Sequence, residues 1–167
     1  MTPIGTAHVA FGCAALVLGA ANALGAKGTG VHRLVGHGYY VSMLGLNGTA
    51  LEIHDLFGGF GVFHWLSLLS LATVFAAIVP VLLRRPERTW RVHHAYYMSY
   101  SYVGLLAATA AEIGVRLPPL WTTDSVTAYF AFAAGAPSVL VTVAGAIAIH
   151  RAMRPLRSEV TSRGPLP

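Results

Sequence analysis

The sequence has little of what a water-soluble globule needs. Only 10% of its 167 residues are charged, against about 25% in an ordinary soluble domain. Acidic residues are the scarcest, six Asp and Glu against eleven Lys and Arg. There is one cysteine, Cys13, which excludes an internal disulfide and a thiolate-cluster metal site. No H-E-x-x-H or comparable catalytic box occurs, so the sequence assigns no reaction. What the chain has in quantity is apolar surface. Hydrophobic residues make up 55% of it, gathered into runs of the roughly 17–25 residues that cross a bilayer as helix.

Five such runs are expected: Ile4 to Leu24, Gly38 to Phe57, Val62 to Leu83, His94 to Val115 and Ser125 to Ile149. The pattern predicts an all-α integral membrane bundle of five transmembrane helices, one domain over residues 1–150. A basic tail, 151–167, follows and is expected to lack fixed structure. The net charge of +5 does not point to nucleic acid, because the basic residues sit between and after the spans. Lys27 and Arg33 separate spans one and two; Arg84, Arg85, Arg88 and Arg91 separate spans three and four; Arg151, Arg154, Arg157 and Arg163 follow span five. Only Arg116 falls on the opposite side. The positive-inside rule then puts the N-terminus outside and the C-terminus in the cytoplasm. Trp65 and Trp121 fall at the outer interface and Trp90 at the inner one. Span one has no basic residues before its apolar stretch, so it reads as a span and not as a signal peptide. Its glycines Gly5, Gly12 and Gly19 recur every seven residues, a stripe that lets helix backbones approach closely in lipid.

Eight histidines are the main chemical signal. The topology sorts them into two layers. His8, His54 and His64 fall at the outer ends of spans one to three. Glu52, Asp55 and Glu112 fall at the same depth, which makes a set of nitrogen and oxygen ligands suited to zinc or another divalent metal. His32, His37, His93, His94 and His150 fall near the inner face, the first two in the loop "KGTGVHRLVGHGYY". Neighbouring residues on a helix point about 100° apart, so His93 and His94 cannot serve one ligand together. His94 starts a face that runs through Met98, Ser101, Leu105 and Ala108 to Glu112. Tyr40, Asn47 and His54, seven apart, make a second polar line on span two, with Asn47 read as a hydrogen bond between helices.

Four stretches, "AHVAFGCAALVLGA", "KGTGVHRLVGHGYYVSML", "GVFHWLSLLSLATVFAAIVPVLLRR" and "RVHHAYYMSYSYVGLLAATAAEIGVRL", carry a family resemblance. The marks are His8 with Gly12, then Lys27, Gly28, His32, Arg33 and Gly36 leading into span two, then His64, then His94 with Met98. In their order and spacing the chain resembles the bacterial multi-pass membrane proteins grouped as domain of unknown function 2306. The resemblance implies a bacterial inner-membrane protein of this architecture and brings no established activity.

Three readings of function follow from the residues. Histidines on neighbouring helices are the usual axial ligands of membrane haem b, with His94 facing His37 or His32, or His8 facing His64, for electron transfer. The outer set His8, His54, His64, Glu52, Asp55 and Glu112 would instead hold zinc for hydrolysis. The third reading is a non-catalytic transporter or accessory subunit. The lipid bilayer is the constant partner in all three, and a chain this short calls for a homo-oligomer or a membrane redox partner. The charge pattern makes a direct prediction. A green fluorescent protein fused after Pro167 should fluoresce, whereas alkaline phosphatase fused there should be inactive; the reverse result would invert the orientation.

Overall fold

The computed structural model describes residues 2–54, 58–116, 125, 128–129 and 131–162. Asp55, Phe57, Trp121 and Arg163 lie outside them. Every regular element among the described residues is helical. They fall into two compact units, Met1–Leu83 and Arg84–Pro167.

The first unit holds α1 (Pro3–Leu24), α2 (Gly30–Glu52) and α3 (Val62–Leu83). Thr2 caps α1, its hydroxyl accepting the Gly5 N–H at 3.1 Å, and Pro3 opens the helix, where a missing N–H is harmless. At the other end, the Lys27 ammonium donates to the carbonyls of Asn22, Ala23 and Gly25 at 2.6–2.9 Å. A cation on the last carbonyls satisfies groups that the helix cannot pair itself. Lys27 is therefore a helix cap as well as a loop charge. Gly28, with φ 77, makes the turn, and Thr29 caps α2 by accepting the His32 N–H at 3.0 Å. Helix α2 thus starts eight residues before the expected Gly38, and the segment read as a loop is mostly helix. Sequence hydropathy hid this start because Gly30–His37 carries Arg33 and two histidines.

Helix α2 packs against both α1 and α3. The α1–α2 contact is close because α2 supplies the glycines. A Cβ on Gly45 would meet the Phe11 ring at 2.6 Å, and one on Gly38 would meet Leu18 at 3.1 Å. From α1, Gly12 lies against Leu46, at 3.5 Å by the same measure. The stripe on α1 is only half of the packing; side chains of α1 also seat in glycine notches of α2. Lipid tails are as apolar as leucine, so such fit replaces the hydrophobic drive of a soluble core.

The second unit holds α4 (Trp90–Arg116), a π-helical turn (Ala131–Gly135) and α5 (Ala136–Ser162). Helices α4 and α5 pack together, and the π turn packs on both. Ser138 shares its hydroxyl proton between Ala134 O at 2.7 Å and Ala107 O at 3.0 Å, linking α5 to α4. Tyr129 donates to Val115 O at 3.1 Å. Helix α5 continues to Ser162. The tail expected to be unstructured is therefore helical over 151–162, with Pro155 inside it. The local reason is register: Met153 stays buried after Ile149, four residues on and on the same side of the helix.

Three helical stretches are long and apolar enough to cross a membrane: Pro3–Leu24, Val62–Leu83 and Ala131–Leu156. Their apolar side chains point outward, Leu140 being 71% and Val17 68% exposed. Small residues such as Ala15, Gly19, Ala77 and Ala133 are buried instead, the inverse of a soluble core and the pattern of helices solvated by lipid. Helices α2 and α4 are long enough, at 23 and 27 residues, but more polar.

The tightest approach lies in the second unit, where a Cβ on Gly114 would run into the Ala133 carbonyl oxygen. A backbone oxygen cannot rotate away. Gly114→Ala should therefore destabilise the protein by about 1–3 kcal/mol or more. Gly104→Ala, where a Cβ meets nothing within 4 Å, should be neutral or stabilising in the same thermal-melting assay.

Candidate functional site

Buried polar side chains in these helices mostly return to their own backbone. Ser42 donates to Gly38 O at 2.8 Å, Ser67 to Phe63 O at 3.0 Å and Thr109 to Leu105 O at 2.8 Å. Asn47, 4% exposed, does the same, its amide donating to Met43 O at 2.7 Å. It is not the bond between helices that its mid-span position suggested. The polar line through Tyr40, Asn47 and His54 also stops short, because α2 ends at Glu52.

Several histidines follow the same rule. A carbonyl oxygen only accepts, so a ring nitrogen bonded to one carries the proton. His37 donates Nδ1–H to Arg33 O at 2.6 Å and His93 to Thr89 O at 2.9 Å. His54 donates Nδ1–H to Glu52 O at 3.0 Å. In a neutral ring each of these leaves a lone pair on Nε2, the form in which histidine binds metal or haem. His8 bonds instead across helices, through Nδ1 to Thr49 Oγ1 at 3.1 Å. The Thr49 hydroxyl already donates to Gly45 O and Leu46 O at 2.8 and 2.9 Å, so it accepts from His8. This pair ties α1 to α2.

His64 is built the other way round. It is the third residue of α3 and only 3% exposed. Its Nδ1 accepts the Gly61 N–H at 3.0 Å, reaching back over the helix start as Glu does in a capping box. The proton of the neutral ring is then forced onto Nε2. That atom is buried and has no hydrogen-bond partner among the described residues. A buried donor left unpaired costs about 1–3 kcal/mol. Around it the ring stacks on Phe60, centroids 4.7 Å apart, and lies 4.8 Å from the ring of His54. Phe60 in turn meets Trp65 edge-on at 5.3 Å. Two imidazoles of opposite tautomer thus lie side by side at this end of the first unit, one offering Nε2–H and the other an Nε2 lone pair.

Of the residues read as an outer metal set, the structure brings together His54 and His64. His8 is committed to Thr49. Glu52 is exposed and offers its backbone carbonyl to His54. Asp55 lies outside the described residues. Glu112 is exposed and pairs with Arg116, four residues on. The face traced from His94 to Glu112 therefore breaks after Leu105: Ala108 and Glu112 point outward, and Ala107 and Ala111 are buried in their place. Among the described residues, no group of three His, Cys, Asp or Glu is disposed to hold a metal ion. Of the haem candidates, His8, His32, His37 and His64 belong to the first unit and His94 to the second.

Phe60, Gly61 and Thr49 were not singled out in the sequence. The "GGFG" before Val62 was the available signal, since a glycine turn leading into a helix with a hydrogen-bonding residue at its third position is a capping pattern.

A family model described as "Predicted membrane protein (DUF2306)" matches residues 5–154 of the chain. No curated protein and no solved structure matches it.

The tautomers are directly testable. In protein labelled with ¹⁵N-histidine, solid-state NMR at neutral pH should show His64 protonated on Nε2 and His54 on Nδ1. Nδ1 protonation at His64 would refute the donor assignment and restore its Nε2 as a metal ligand.

Proposed function

The chain belongs to the DUF2306 family of predicted membrane proteins, and on that footing we propose that it is a non-catalytic membrane component of the transport or accessory class. It crosses the bacterial inner membrane five times, N-terminus outside, and binds a small oxygen-bearing solute at the outer end of α2 and α3. The observation that carries this reading is the opposed pair of imidazoles. His64 Nε2–H is a fixed donor, locked by the Gly61 N–H on the other side of its ring. His54, its ring centroid 4.8 Å from that of His64, has its acceptor lone pair on Nε2. A hydroxyl or carboxylic acid group, which donates and accepts at once, satisfies both. Phe60 is exposed and stacked over His64, so it is the ring that moves to admit the solute. A buried unpaired donor is explained by the acceptor that it meets in use.

A haem b reading stays as the second, and His37 is the residue that favours it. Its Nδ1–H is held by Arg33 O at 2.6 Å, which orients the ring and leaves Nε2 for iron. Ligation through His64 Nε2 would require the Gly61 bond to be given up.

The test separates the two. His64→Glu keeps an acceptor for Gly61, as in a capping box, and its carboxylate offers no donor, whereas His64→Ala should lose about 0.5–2 kcal/mol with the cap. Among small alcohols and carboxylic acids, those that raise the melting temperature of the wild type should fail to do so for His64→Glu. Stabilisation that survives in this variant sinks the solute site. A Soret band in the purified protein that disappears in His37→Ala would move the assignment to haem.

A further inference from the structure

The turn between α3 and α4 carries four arginines in eight residues, Arg84, Arg85, Arg88 and Arg91, against one acid, Glu87. All four arginines are exposed. Two of them are gathered on one ring. The guanidinium carbon of Arg84 lies 5.3 Å and that of Arg91 5.2 Å from the centroid of Trp90. Arg84 takes part from a left-handed backbone, φ 53, a region that few residues other than glycine visit. Neither arginine has a carboxylate partner among the described residues. Two like charges drawn to one indole repel each other.

We infer that this turn is a binding site for the headgroup of an anionic phospholipid, with Arg84 and Arg91 gripping its phosphate over Trp90. A cation–π contact uses the flat face of a guanidinium and leaves its N–H edges free. Those edges match phosphate oxygens two at a time, and a phosphate between the two guanidiniums would remove the repulsion. Trp90 is half-buried at the start of α4, as befits an indole at headgroup level. One turn further along α4, Val92, His93, Tyr96 and Tyr97 line an open cleft of about 220 Å³. This is smaller than a pocket for a drug-sized ligand and is of the size of a glycerol headgroup. The first turn of α4 contains no acidic residue to repel it.

A lipid fits better than a soluble polyanion. The patch is one turn deep and lies at the end of a helix in a membrane protein family. Exposed Val143 and Ile147 of α5 offer apolar surface for acyl chains. Arg151 and Arg154 of α5 are exposed as well, but among the described residues no aromatic ring organises them. They are the control for charge without a clamp. This site is independent of the His54–His64 pair, and either can fail without the other.

The experiment is native mass spectrometry of the full chain in mild detergent, titrated with phosphatidylglycerol or phosphatidylcholine. Wild type should bind phosphatidylglycerol more tightly than phosphatidylcholine. Arg84→Gln with Arg91→Gln should weaken phosphatidylglycerol about thirtyfold. Trp90→Leu keeps every charge and should still weaken it about fivefold, whereas Trp90→Phe retains a ring and most of the affinity. Arg151→Gln with Arg154→Gln should have the smaller effect. Melting curves establish that each variant is folded; if Trp90→Leu is not, the arginine pair and Trp90→Phe carry the test. The proposal is overturned if phosphatidylcholine binds equally well or if folded Trp90→Leu binds like wild type. It is equally overturned if the Arg151 and Arg154 variant loses as much as the Arg84 and Arg91 variant, or if inorganic phosphate displaces the lipid.

Discussion

Helices that are apolar on every side cannot be held together by hiding their apolar side chains, because lipid solvates those as well as a protein core does. What remains is the closeness of backbones, and both units are organised around it. Phe11 and Leu18 of α1 lie against Gly45 and Gly38 of α2. In the second unit Gly114 of α4 lies against the Ala133 carbonyl of the π turn. A side chain at Gly45 or Gly114 would force the helices apart and expose the small residues now buried between them. The extra residue of a π turn shifts the helix face locally, and here that turn sits where Gly114 permits the approach.

Polar groups obey a second constraint, the scarcity of water. Serines, threonines and Asn47 fold their hydrogen bonds back onto their own helix. Links between helices include His8 to Thr49, and Ser138 to Ala107. Against that background His64 is built differently. Its cap on Gly61 serves the helix and at the same time leaves a buried donor with no partner among the described residues. The same bond that starts α3 thus sets which nitrogen of this ring carries the proton.

The charged ends of the helices divide in a similar way. Lys27 is consumed by the carbonyls that end α1, and Arg116 by Glu112. Arg84 and Arg91 are held over an indole, with their donor edges left for another partner. A count of basic residues per loop treats all of these alike. Their surroundings separate a capping charge from one held over an aromatic ring.

Composition and the length of apolar runs were enough to read a helical membrane protein, and the start and end of α3 were legible to the residue because the "GGFG" and the Arg84–Arg85 pair bracket it. These are properties of consecutive residues, which hydropathy measures directly. The early start of α2 depended on a local cap at Thr29, and the continuation of α5 to Ser162 on the burial of Met153; neither appears in an average over a window. The site was legible only as an excess of histidine. Which nitrogen of each ring carries the proton is set by the atom the other nitrogen meets, a Glu52 carbonyl for His54 and a Gly61 N–H for His64. The residue types that determined the membrane fold were written in the sequence. The pairing of a donor with an acceptor was decided by tertiary structure, because hydrogen-bond direction depends on the position of single atoms.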